Sequence, residues 1–384
     1  MPRFPEIAAT ASTTRGAVYS TVAARLAAHQ GQTFPLHIGD TWLEPAVGCR
    51  MEDLRSAEIE GLHRYAPVAG HPLLVDAIRR SVEKRAGAAT GAENILVSAG
   101  ATGALAAAAA ALVDPGDEVL LLAPYWPLIA GIIHQARGRP IPVPVFAGEV
   151  ESAESLLAAC DARASARTVA LYLNSPNNPT GRLLPRPWIE ALVAWARSRE
   201  LWILADEVYE DYVYRGEHTH TRPLAPERTF AAHSFSKAYG MAGNRCGYLL
   251  GPAEPIADAR KIAAHTFYST PTAAQIAAAR VLTGPGEAWI ADARRRYAEL
   301  GEEAAARLGI EAPAGSTFLF LDVAEHLGPA GLCGLLEACA DRGLLIAPGP
   351  SFGPYPTHVR ICFTSAPPEV VRGGVETLAQ LLGR

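Results

Sequence analysis

The feature that most limits the fold of this 384-residue chain is a series of short apolar segments separated by stretches of helical character. From residue 94 onward, strand-like patterns cover 94–98, 118–122, 141–145, 168–173, 201–205, 229–233 and 247–250. Helical spacing fills 100–113, 128–135 and 188–199. Continuously apolar strands belong to sheets covered on both faces, and strand–helix repeats build such sheets mostly parallel. The expectation is an α/β fold. Ligands of these sheets bind beyond the carboxyl ends of the strands, so the residues just after each strand are the candidates for chemistry.

Past residue 283 the pattern changes. A charged amphipathic helix over 287–308 precedes strands at 317–323, 344–347 and 358–363. A helix of this kind lies on a domain surface. The reading is a large domain over 46–282 and a smaller α+β domain built from 1–45 plus 283–384, in keeping with ~100–200 residues per domain.

Composition removes several classes of function. The alanine run 106–111 resembles a membrane segment, but Gly103 and Asp114 bound it well short of the ~20 apolar residues a span needs. A buried helix is expected there, and no membrane partner. The net charge of −5, without blocks of either sign, argues against a nucleic-acid partner. Residues 1–10 lack the apolar core of a secretion signal, so a cytoplasmic location is expected. The six cysteines are scattered without a C-x-x-C pair and read as free thiols. His218 and His220 form an isolated H-x-H. With no further ligand at helical spacing, a solvated loop is expected rather than a metal site.

The densest chemistry lies in Ser234-Phe-Ser-Lys-Ala-Tyr-Gly-Met-Ala-Gly-Asn-Arg-Cys-Gly-Tyr248. Here Lys237 follows a strand end and shares its segment with hydroxyls, glycines and a guanidinium. Hydroxyls and a guanidinium suit a phosphate monoester. A lysine beside such a site suits a Schiff base with an aldehyde cofactor. Other segments are ambiguous on their residues alone. Asn174–Gly181 is also an ordinary Asn-Pro turn, and Asp206-Glu207 is also a helix cap or solvated turn. The segment 97–105 is a small-residue turn into a helix whose N–H groups can face a phosphate. Its glycine spacing does not give the dinucleotide pattern.

Taken together and in order, these segments resemble the class I/II aminotransferases of fold type I, over roughly 34–363 of the chain. The resemblance implies pyridoxal 5′-phosphate as cofactor, held covalently by Lys237. It implies that Ser234, Ser236 and Arg245 bind the phosphate, with Gly100, Ala101 and Thr102 completing the cup. Trp126, in Pro124-Tyr-Trp-Pro127, would stack on the ring; on its own it is also a core tryptophan. Asp206 would pair with the protonated ring nitrogen, raising its pKa, while Asn178 and Tyr209 would bond the phenolic oxygen.

Further matches concern the substrate and a second subunit. Arg360, in His358-Val-Arg-Ile-Cys-Phe363, would take the α-carboxylate of an amino acid or 2-oxo acid, near Asn178 and near Gly39 of Leu36-His-Ile-Gly-Asp40. Tyr65 would reach the phosphate of the neighbouring subunit in a homodimer. The implied reaction is ping-pong amino-group transfer, with Lys237 also moving the proton at Cα. Thr102 stands where some aspartate-specific relatives carry lysine. Trp42, Trp126 and Phe267-Tyr268 are candidates for an apolar or aromatic side-chain pocket. Two other readings stay open: a lyase, cyclase or synthase acting at the β or γ carbon with the same cofactor, and a non-enzymatic cofactor-binding regulator.

Overall fold

The computed structural model describes residues 7, 11 and 22–384. The segment read above for a secretion signal, and the first half of the N-terminal part of the small domain, otherwise lie outside the described residues. The strands are β1 (Phe34–Pro35), β2 (Ile95–Ser98), β3 (Glu118–Ala123), β4 (Arg139–Pro144), β5 (Thr168–Asn174), β6 (Trp202–Asp206), β7 (Thr229–Ser234), β8 (Gly247–Leu250), β9 (Phe318–Asp322), β10 (Leu344–Leu345), β11 (Ala347–Pro348) and β12 (His358–Cys362).

Seven of them form one sheet in the order β2-β8-β7-β6-β5-β3-β4. Every pairing is parallel except those of β8, which runs antiparallel to β2 and β7. Side chains alternate across a strand, and both sets are buried here. Leu120 and Leu122 of β3 join one apolar cluster, while Val119, Leu121 and Ala123 join another on the opposite face. This is why the strands read as uninterrupted apolar runs. The sheet edge explains an exception: β4 begins at Arg139 and carries Pro140, Pro142 and Pro144, which an edge strand tolerates.

The alanine run forms the helix Gly100–Leu112, buried against the sheet, with Ala104, Ala107, Ala108 and Ala109 inside. Small side chains let helix and sheet approach closely, and alanine is the best helix former. No helix among the described residues is long and apolar enough to cross a membrane.

A third apolar cluster surrounds an antiparallel sheet in the order β11-β12-β9. The helix Gly286–Arg307 covers it, burying Ile290, Ala293, Tyr297, Leu300 and Ala304. The single strand expected over 344–347 is divided. Leu344–Leu345 pairs in parallel with β1, whereas Ala347–Pro348 pairs with β12. Buried Ile346 marks the change of partner. The sequence pattern also passes over the helices Pro72–Ala86 and Ala153–Asp161.

Candidate active site

A cavity of about 670 Å³ opens at the carboxyl ends of β6 and β7, bounded across the gap by residues 37–39 and by β12. Lys237 lies in the one-turn helix Phe235–Ala238 directly after β7, and the Ser234 hydroxyl caps that turn by accepting from the Ser236 N–H at 3.0 Å. The Lys237 ammonium donates to the Gly39 carbonyl and stands 3.7 Å from Asp40 Oδ1. Burial lowers its pKa; the Asp40 carboxylate opposes this, and the guanidiniums of Arg245 and Arg360 add to the lowering.

At one end of the cavity three kinds of anion ligand converge. The helix Gly100–Leu112 begins there with no side chain capping its first N–H groups, leaving donors and the positive dipole end free for an anion. Ala101 and Thr102 of its first turn line the cavity, as do Ser234, Ser236 and Arg245. Arg245 Nη1 is 3.5 Å from Ser236 Oγ, and Nη2 donates to the Ala99 carbonyl at 3.3 Å. Gly100 lies beneath this guanidinium. Its φ is +69°, and a Cβ there would sit 2.6 Å from Arg245 Nη2, so only glycine lets the arginine close over the turn.

Deeper in, Asp206 ends β6 and is 4% exposed. The Tyr172 hydroxyl donates to its Oδ2 at 2.7 Å. Burial pushes the carboxyl up to about 6, against the hydrogen bonds from Tyr172 and the Val208 N–H. Trp126 lines the same space. Asn178 Nδ2 donates to the Tyr209 hydroxyl at 3.4 Å, and the Tyr209 ring packs edge-on against Phe318.

The far wall carries Arg360, 6% exposed on β12. Its Nη1 donates to Asn178 Oδ1 at 2.9 Å and its Nη2 to the His37 carbonyl at 2.5 Å. The guanidinium lies over Phe318 at 4.2 Å and Phe352 at 4.7 Å, where cation–π attraction holds a desolvated cation. Burial, aided by Arg360, lowers the His37 imidazole to about 4.

The structure thus brings Gly39, Ala101, Thr102, Trp126, Asn178, Asp206, Tyr209, Ser234, Ser236, Lys237, Arg245 and Arg360 to one cavity, with Gly100 directly behind it. Tyr65 does not line it. That side chain is 86% exposed, packed edge-on to Tyr268 at 5.1 Å. Of the aromatics considered for a side-chain pocket, only Trp126 reaches the cavity. Trp42 packs in the third apolar cluster and Phe267 behind the helix Gly100–Leu112. The sequence reading missed Tyr172, His37 and Phe352. Tyr172 has a weak signal, being the polar-tipped residue inside the apolar run 169–173. The solvated loop expected at His218 and His220 is overturned: their side chains are 8% and 21% exposed, folded against Glu207 and Glu210.

A buried lysine and a buried carboxylate line one cavity with serine hydroxyls, a guanidinium and an uncapped helix start, a donor set that fits an aldehyde-bearing phosphorylated pyridine. Comparison with known proteins identifies the family. The model of the family "Aminotransferase class I and II" matches residues 41–378. An aspartate/prephenate aminotransferase of Thermus thermophilus is 33% identical over 342 residues, 87% of each chain. An arginine–pyruvate transaminase of Pseudomonas aeruginosa is 33% identical over 85% of this chain and 84% of its own. The solved Thermus thermophilus aspartate aminotransferase with maleate superposes with a TM-score of 0.89 at 28% identity, covering 98% of this chain and 100% of that one. The chain belongs to the class I and II aminotransferase family, with the fold-type-I architecture. It is a pyridoxal-phosphate-dependent amino-acid aminotransferase.

Proposed function

We propose that this enzyme moves an amino group, in two half-reactions, between an L-amino acid and a 2-oxo acid of uncharged side chain. The observation that carries the side-chain preference is the set of cations around the cavity. Among the described residues lining it, Lys237 and Arg245 serve the cofactor and Arg360 the α-carboxylate. His37 stays neutral at ordinary pH. Thr102, in the glycine-rich turn, adds no charge. Ile38, Leu128 and Phe352 instead offer apolar surface.

Position in the cavity supports each proposed role. Arg245, Ser234, Ser236, Ala101 and Thr102 would hold the phosphate, with Gly100 admitting the guanidinium, and Trp126 would cover the ring. Bound there, the cofactor supplies an electron sink for the bond broken at Cα. Asp206 would keep the ring nitrogen protonated, and Tyr209 with Asn178 would hold the phenolic oxygen. Arg360, oriented by Asn178 and His37, fixes the α-carboxylate so that Cα faces Lys237. The Lys237 amine, with its pKa lowered by burial, takes and returns the proton at Cα. Gly39, bonded to Lys237, and His37, bonded to Arg360, belong to one segment, so substrate binding can draw that segment closed.

The division into 46–282 and 1–45 plus 283–384 is part of the proposal, supported by the separate apolar cluster around β9, β11 and β12. So is a cytoplasmic homodimer. All six cysteines are free. Tyr65, Val47, Leu73 and Tyr268 expose large apolar side chains that a second copy would cover, placing Tyr65 at the partner's phosphate.

Single amino acids mixed with the holoenzyme test the reading. Apolar or aromatic donors should yield 2-oxo acids and shift the visible absorbance of the cofactor, with aspartate at least ~10-fold poorer in kcat/KM. Release of ammonia or pyruvate without exchange would sink it. Lys237→Ala should lose at least ~10³-fold in turnover, together with that absorbance.

A further inference from the structure

Asp206 lines the cofactor cavity, but Glu207 beside it lines a separate cavity of about 20 Å³, which holds roughly one water-sized species. We propose that Glu207, Glu210, His218 and His220 bind one divalent transition-metal ion of the zinc class, outside the reaction site.

Three pairs of donor atoms already lie close to the spacing a metal ion requires. One ligand atom from each of the four residues lies within 4.8 Å of the others. His220 Nδ1 is 3.1 Å from Glu207 Oε2 and 3.4 Å from Glu210 Oε2, and His218 Nε2 is 3.6 Å from Glu207 Oε2. A tetrahedral zinc with bonds of ~2.0–2.2 Å needs its ligand atoms ~3.3–3.6 Å apart. Two imidazoles with two carboxylates suit zinc and its neighbours, whereas calcium and magnesium favour all-oxygen sets.

A second observation is the state of His218. Its side chain is 8% exposed, neither ring nitrogen has a hydrogen-bond partner, and Nε2 is aimed at Glu207 from beyond hydrogen-bond length. A buried imidazole left this way is costly unless something else bonds it.

The carboxylates are held as ligands are held. The Thr221 N–H donates to Glu207 Oε1 at 2.8 Å, leaving Oε2 toward the imidazoles. His233 Nδ1 is 2.9 Å from Glu210 Oε1, leaving Glu210 Oε2 toward His220. Outer partners of this kind fix ligand orientation in metal sites. Two cations also line the small cavity, and each has partners: Arg85 Nη1 is 3.0 Å from Asp211 Oδ1 and 3.4 Å from Glu210 Oε1, the oxygen turned away from His220, and Arg222 Nη1 donates to Thr90.

The competing occupant is a proton shared between imidazole and carboxylate. Untagged holoenzyme stripped with dipicolinate and then titrated with zinc separates the two, read by elemental analysis and melting temperature. The expected result is about one zinc per chain, a raised melting temperature, and at least ~10-fold weaker binding in His218→Ala and Glu210→Gln. Lys237→Ala should keep its zinc, which separates this site from the reaction site. Where His218→Ala fails to fold, His218→Gln, of similar volume, is used with circular dichroism as the folding check. No zinc bound at excess metal, or equal zinc in wild type and the folded His218 variant, overturns the proposal.

Discussion

Asp206 and Glu207 are neighbours at the end of the same strand, both almost fully buried, yet their surroundings push them in opposite directions. Asp206 meets a tyrosine hydroxyl and a backbone N–H, and burial raises its carboxyl to about 6. Glu207 also bears the cost of burial, but His218 and His220 hold it well below the usual carboxylate range. Asp206 faces the open cavity, where on the proposed reading a ligand brings the cation. Glu207 is surrounded by imidazoles the chain supplies itself. On that reading the same chemical group serves chemistry at one position and the stability of a buried cluster at the next, according to what the fold places within a few ångströms.

Glu207→Gln should break the stability side most. Removing one partner of a buried charged cluster costs about 3–5 kcal/mol, visible as an earlier denaturant midpoint, while kcat of the folded fraction stays within a few-fold. Asp206→Asn should do the converse, lowering kcat about 10²–10³-fold with a much smaller change in midpoint. Equal effects of the two substitutions on kcat would dissolve the contrast. Tyr172→Phe should cost about 0.5–1.5 kcal/mol. Because the Tyr172 hydrogen bond lowers the Asp206 carboxyl, its loss should move the acid limit of cofactor retention to higher pH. The smallest effect belongs to Asp40→Asn. Asp40 raises the Lys237 pKa, so its removal should shift the pH limb of cofactor capture by the cofactor-free protein downward.

Residues that follow a strand directly were legible. Asp206, Ser234 and Lys237 sit at strand ends, where a parallel sheet gathers its ligands, and their types and spacing carry the family resemblance. The order of apolar runs likewise exposes the seven-stranded sheet. The histidine cluster was not legible. Glu207, Glu210, His218 and His220 lie on a turn and a loop without regular period, so only the folded path of residues 210–220 shows that they meet. Nor could pattern reveal that 344–347 serves two sheets, since two-residue strands lie below any periodicity. His37 acts on Arg360 through its carbonyl, which any residue possesses.

That last contact spans 323 positions of sequence. During synthesis at ~5–20 residues per second, the His37 carbonyl waits roughly 15–60 s for its arginine to be made. On the proposed assignment, a chain cut short before residue 360 would carry the residues proposed to hold the cofactor but lack the arginine proposed to grip an amino acid.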